Sequence, residues 1–137
     1  MKLILKLAVT AITVFYGLVP AIADLNETHL FNPLWSDHAR FHGAWFLAFT
    51  AGIAVIALFL IWVRDDVFLP IAFGLMFVAG FWVATVFGPA YGGALVDENG
   101  YEQTVFGLDS NMFLFSVVGV LLLLLLALAN RVYRTDP

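Results

Sequence analysis

Ser36-Asp37-His38-Ala39-Arg40-Phe41-His42-Gly43-Ala44-Trp45 packs two histidines, an aspartate and an arginine into the last polar turns before Phe46–Val63, a run without one charged residue. That junction decides the fold. Ser36 is a natural helix N-cap, and Asp37 in the first turn suits the positive end of a helix dipole. The eighteen residues that follow are long and apolar enough to cross a bilayer. The spacing predicts a helix from about Ser36 to Val63, polar for its first turns and then fully apolar.

The composition extends that reading to the whole chain. Of 137 residues, 63% are hydrophobic and 12% charged, a balance far from that of soluble domains, so the surface must meet lipid or other protein. The net charge of −4 and six scattered Lys and Arg residues exclude nucleic acid as a partner, because phosphate backbones are held by clustered bases. No Cys is present, which removes disulfides, thiolate chemistry and Cys-ligated iron–sulfur or zinc sites.

Three further spans are expected, giving an all-α, integral membrane four-helix bundle in one domain, with spans at about 4–23, 43–63, 67–87 and 111–130 and loops at 24–42 and 88–110. The first carries Lys2 and Lys6 ahead of an apolar run. Its positive start and Ala21-x-Ala23 also suit a cleavable signal peptide. A retained helix is preferred, with Lys6 as an interfacial anchor and Pro20 kinking or ending the last turn. Arg64-Asp65-Asp66 is so short a link that the second and third spans must be antiparallel neighbours. Leu121–Leu126 is six consecutive leucines, and a helix apolar on every side faces lipid. Ala44, Ala48 and Ala51, and Gly80, Ala84 and Gly88, form small-residue stripes along which a second helix, a second copy or a larger membrane complex can approach closely. Asn26-Glu27-Thr28 matches a glycosylation acceptor, and Asp97 to Gly100 suits a turn or short hairpin.

Lys2, Lys6, Arg64, Arg131 and Arg134 fall on one side of a four-span arrangement and only Arg40 on the other. Both termini are therefore expected in the cytoplasm, with the bacterial inner membrane as the expected location. The Ser36–Trp45 stretch then lies at the outer end, beside membrane lipid.

On a helix, His38 and His42 lie within about 40° of each other, with Phe41 and Trp45 in the same sector and Arg40 nearly opposite. Two imidazoles so placed can ligate one divalent metal, completed by Asp37 or by His29, Asp24 or Glu27 folding back from the loop. The zincin pattern is not met, because Ala39 stands where its glutamate belongs. Arg40 can take a carboxylate, a lipid headgroup or a quinone oxygen, or pair with Asp37. Trp45, Tyr91 and Tyr101 are candidate ligand contacts, and Asp97, Glu98, Glu102 and Asp109 could close over the same end from the third loop. Three functional readings stay open: an accessory redox or lipid-linked factor holding a metal, quinone or lipid; a non-enzymatic assembly subunit; and a small enzyme with histidine as general base. Charges are absent between the interfaces, so a proton relay at the bilayer centre has no carrier, and the histidines suit at most a peripheral haem.

Asn32-Pro33-Leu34-Trp35-Ser36-x-His38-Ala39-Arg40-Phe41-His42 resembles an N-P-x-W-x-x-H-A-R-F-H signature of small, uncharacterised four-helix membrane proteins grouped loosely with the DoxX-like ones. The resemblance implies a compact four-helix bundle with the motif at one end, and brings no established activity.

Overall fold

In the computed structural model, which describes residues 1–96, 100 and 103–135, the chain is all-α apart from one two-stranded hairpin. Helix α1 spans Lys2–Gly17 and is followed by the short α2, Val19–Ala23. The break has a simple cause: Pro20 has no N–H to give the Tyr16 carbonyl, so the i→i−4 ladder cannot continue. Helix α3 covers Asp37–Val63, α4 Phe68–Phe87 and α5 Ser110–Thr135. Four helical segments, with α1 and α2 counted together, are long and apolar enough to cross a membrane.

Neighbouring helices run up and down, and the arrangement is a rhombus. Helices α1 and α4 form its short diagonal and touch each other, and each also packs on both α3 and α5. The inward faces are narrow. Leu5, Val9, Ile12 and Tyr16 line α1, and Leu47, Thr50, Ala54, Ala57 and Ile61 line α3, each at three- or four-residue steps. Elsewhere the helices are apolar outside as well: only 17% of the most apolar window of α5 is buried.

Close approach depends on particular small residues. A Cβ on Gly17 would sit 2.5 Å from Ala54 Cβ, and one on Gly74 would meet the Tyr16 ring at 2.8 Å and Leu122 at 2.9 Å. Tyr16 lies over that gap and donates its hydroxyl to the Pro70 carbonyl at 3.0 Å. By contrast, Gly80 and Ala84 face outward with Ala44 and Ala48, and a Cβ on Gly80 would meet nothing within 4 Å. Close approaches between helices fall instead at Gly17, Gly74 and Gly119, where an added Cβ would meet Ala54, Tyr16 and Leu122, and Val78.

The lysine-bearing end is tied across three helices. Lys6 Nζ pairs with Asp65 Oδ1 at 3.0 Å and lies 5.0 Å from the Trp62 ring, while Tyr133 donates to the Asp65 carbonyl at 3.1 Å. Asp65 takes a left-handed conformation, φ 54°, which lets Asp66 N–H return to the Leu60 carbonyl and closes α3. Asp66 then caps α4 through the amides of Phe68 and Leu69. Both chain ends and the α3–α4 turn therefore share one end of the bundle, and the Ser36–Trp45 motif is at the other.

Replacing Gly17 by Val is expected to destabilise the bundle by about 1–3 kcal/mol, the usual cost of overpacking. Gly80→Ala, with open space around it, is the matched control and is expected not to lower the unfolding midpoint in detergent, Ala being the better helix former.

Candidate functional site: the histidine end of the bundle

The loop ahead of α3 is folded by its own polar side chains. Asn26 donates to the Ala23 carbonyl at 2.7 Å and its Oδ1 accepts from the Thr28 and His29 amides. Leu30 N–H reaches the Asp24 carbonyl, and Asn32 N–H reaches His29. Asn32 is fully buried, and its Oδ1 takes the Leu34 amide at 3.0 Å. The loop then closes on α3: a Cβ on Gly43 would lie 3.3 Å from Trp35 and 3.4 Å from Leu30. Asn26, Asn32 and Gly43 shape this end and were not among the sequence candidates; the Asn-Pro pair at 32–33 was the available turn signal.

Ser36 Oγ accepts from Ala39 N–H at 3.2 Å, fixing the start of α3 where the sequence placed it. From there the helical repeat sorts the motif. At about 100° per residue, Arg40 falls roughly 60° from the middle of the buried α3 stripe, and His38 and His42 fall roughly 100–140° from it. Arg40 is accordingly turned to the protein. Its guanidinium reaches the Pro33 carbonyl at 3.5 Å and Asp37 at 3.6 Å, and its shielded Nε has no acceptor among the described residues.

The histidines are exposed and together. His38 Nε2 and His42 Nε2 are 3.1 Å apart with their rings edge to face. One Nε2 must be bare to accept the other's proton, so the contact needs at least one neutral imidazole. Phe41 and Trp45 flank His42 at ring distances of 5.8 and 5.9 Å. Trp45 itself is 62% exposed.

The remaining candidates stand elsewhere. His29 faces Asp24 at 3.9 Å, and Asp37 turns to Arg40. Among the described residues, no three His, Asp or Glu side chains gather around one point. Tyr91 donates to the Ala84 carbonyl at 2.9 Å and so folds back on the end of α4. Tyr101, with Asp97, Glu98, Glu102 and the Asp97–Asn99 part of the expected turn, lies outside the described residues. The described part of the third loop does not cover the histidines: a turn at Gly88–Tyr91 packs on α4, and a hairpin of β1 (Thr104–Val105) and β2 (Leu108–Asp109) packs on α5. Asp109 holds that hairpin in place by capping α5 through the Asn111 and Met112 amides.

Two apolar grooves, one between α1 and α5 and one along α5, lie away from the motif. The histidine end is thus an open surface site, suited to an ion or a small group more than to a large enclosed cofactor.

These features define a four-helix protein with membrane-spanning dimensions, a basic clamp at one end and an exposed histidine pair at the other. The chain belongs to a family of unknown function, DUF6640, whose model matches residues 7–135. No curated protein and no solved structure matches it.

Burial pushes the Asp24 carboxyl above its ordinary range, with His29 pulling the other way. An acid whose folded pKa is raised opposes folding at neutral pH, and the penalty fades as pH falls through that pKa. Asp24→Asn is therefore expected to raise the unfolding midpoint at pH 7, with the gain shrinking toward pH ~4; paired melts at the two pH values check it.

Proposed function

We propose that the chain is a four-span integral membrane protein, both termini on the cytoplasmic side, that binds a divalent transition metal at its outer end through His38 and His42. The single observation behind the metal is the 3.1 Å separation of the two Nε2 atoms. At metal–nitrogen distances of about 2.0–2.1 Å, that separation subtends about 100° at the ion, between octahedral and tetrahedral values. Neutral imidazole suits zinc, copper and nickel. Ligation requires both Nε2 atoms to be bare, so the proton between them moves to an Nδ1 or leaves, and the rings turn their lone pairs toward the ion. Two protein ligands leave further positions to water or to a small exchangeable ligand, which fits an accessory factor more closely than a structural metal with a closed shell. The basic residues gathered at the opposite end support the orientation, and the exposed apolar faces of all four spans support the bilayer.

Metal titration of the purified protein without an affinity tag, followed by calorimetry, tests this reading. His38→Gln and His42→Gln are each expected to weaken zinc or copper binding by more than the roughly tenfold that loss of an outer partner of a metal ligand costs. His29→Gln is expected to have no effect, and acidification to release the metal, since protonated imidazoles cannot ligate. Binding untouched by both dyad substitutions sinks the proposal.

The outward stripes favour a second reading, that the bundle also assembles with a copy of itself or with a larger membrane complex. Gly80 and Ala84 on α4 and Ala44 and Ala48 on α3 leave backbone exposed for a close helix approach. Gly80→Leu is expected to lower the yield of cross-linked oligomer in membranes while leaving the monomer's melting unchanged; equal yields would remove this reading.

A further inference from the structure

The β1–β2 hairpin joins the third loop to α5, and its tip is built against the preferences of its residues. Thr104 pairs with Asp109 and Val105 with Leu108, leaving Phe106 and Gly107 as a two-residue turn. Both have positive φ, 54° and 78°. Such a turn favours Asn or Gly at its first position, and a left-handed Phe is strained because its Cβ crowds the following carbonyl. The phenyl gains little burial in exchange, since Phe106 is 91% exposed. A strained backbone that displays a bare aromatic ring suits a setting other than water.

The tip leans along α5. The Phe106 ring lies 5.7 Å from that of Phe113, which is in the first turn of the helix. Below it runs an apolar groove of about 270 Å³ formed by Leu108, Phe113, Ser116, Val117, Val120 and Leu121. The hairpin is pinned at its base, where Ser110 N–H meets the Gln103 carbonyl at 2.9 Å. From Gln103 to Leu108 it carries no charge. Leu108 and Val120 are each more than half exposed, so the apolar surface continues without a break from the turn onto the outer face of α5.

We infer that this hairpin is a lipid-inserted finger: Phe106 and Leu108 enter the outer leaflet at the glycerol–acyl boundary. The inference rests on the membrane-spanning reading above and on continuity with the lipid-facing flank of α5. Phe and Leu are among the side chains that surface-lying segments sink to the headgroup–acyl boundary. Insertion buries the phenyl that the strained turn holds out, while the one carboxylate of the strands, Asp109, stays at the base of the hairpin as the cap of α5.

The chain's lack of Cys permits single-site spin labels at Phe106→Cys, Leu108→Cys, Val120→Cys and, as a water reference, Glu27→Cys. In phosphatidylcholine–phosphatidylglycerol nanodiscs, collision with oxygen and with a water-soluble nickel chelate reports depth. Labels at 106 and 108 are expected to follow the 120 label, with oxygen access several-fold above nickel access, and the 27 label to show the reverse. Leu108→Cys carries the test if Phe106→Cys fails to fold. Nickel-dominated access at 106 and 108 with a lipid signal at 120 overturns the finger alone. Nickel-dominated access at 120 overturns the membrane reading itself. Labels at 106 and 108 shielded from both reagents place a protein partner or a second copy on the hairpin and also overturn the finger.

Discussion

Helix α1 is the constraint on which the other helices depend. Its side chains meet all three long neighbours. In the bilayer we propose, burial of apolar surface drives helices together only slightly, since lipid tails are as apolar as leucine; close packing and interhelical hydrogen bonds must do it instead. The page of contacts around Tyr16 and Gly17 has that character. The Tyr16 ring fills the space that Gly74 leaves, its hydroxyl finds the Pro70 carbonyl, and one residue later Gly17 lets the α3 backbone approach at Ala54. At the far end Lys6 draws the α3–α4 turn onto the same helix. A chain cut after Ala23 would lose the diagonal of the rhombus.

The same inward stripe determines what the motif at the other end presents. With Leu47, Thr50, Ala54, Ala57 and Ile61 facing the core, the phase of α3 turns Arg40 toward the Pro33 carbonyl and leaves His38 and His42 outside. Had the helix been rotated by one residue, about 100°, the arginine would leave its loop contacts and the dyad would change faces. Gly43 works on the same geometry from the loop side: it admits Leu30 and Trp35 against α3 and so holds the turns around buried Asn32 close to the helix start.

The proposed metal pair and the proposed lipid finger share a physical feature. Each places groups at the outer end that water alone serves poorly: two imidazole nitrogens held in contact, and a phenyl held out on a left-handed turn. They stand on different elements, since the hairpin packs on α5 and the histidines on α3, two helices that do not touch each other. Metal binding and bilayer insertion are therefore separable by mutation.

Much of this architecture was legible in the order of residue types. Charge-free apolar runs bounded by basic residues set four membrane-length helices, Ser36 set the start of α3, and the i,i+4 spacing of His38 and His42 put both rings on one side, because these are local consequences of helical repeat and capping. The inward faces were not legible. Helices apolar all round carry little sign of which side meets protein, so the Gly80, Ala84 and Gly88 stripe read as a helix-contact pattern while close approaches inside the bundle fell to Gly17 and Gly74. The hairpin at Thr104–Asp109 was missed for a related reason: Phe106-Gly107 lacks the usual turn chemistry, and the hairpin packs on α5 through residues the local pattern does not mark. Local chemistry thus determined the helices and the histidine spacing, whereas tertiary packing alone decided which small residues touch, where Arg40 turns, and that His29 and Asp37 stay apart from the dyad, since each depends on contacts between residues distant in the chain.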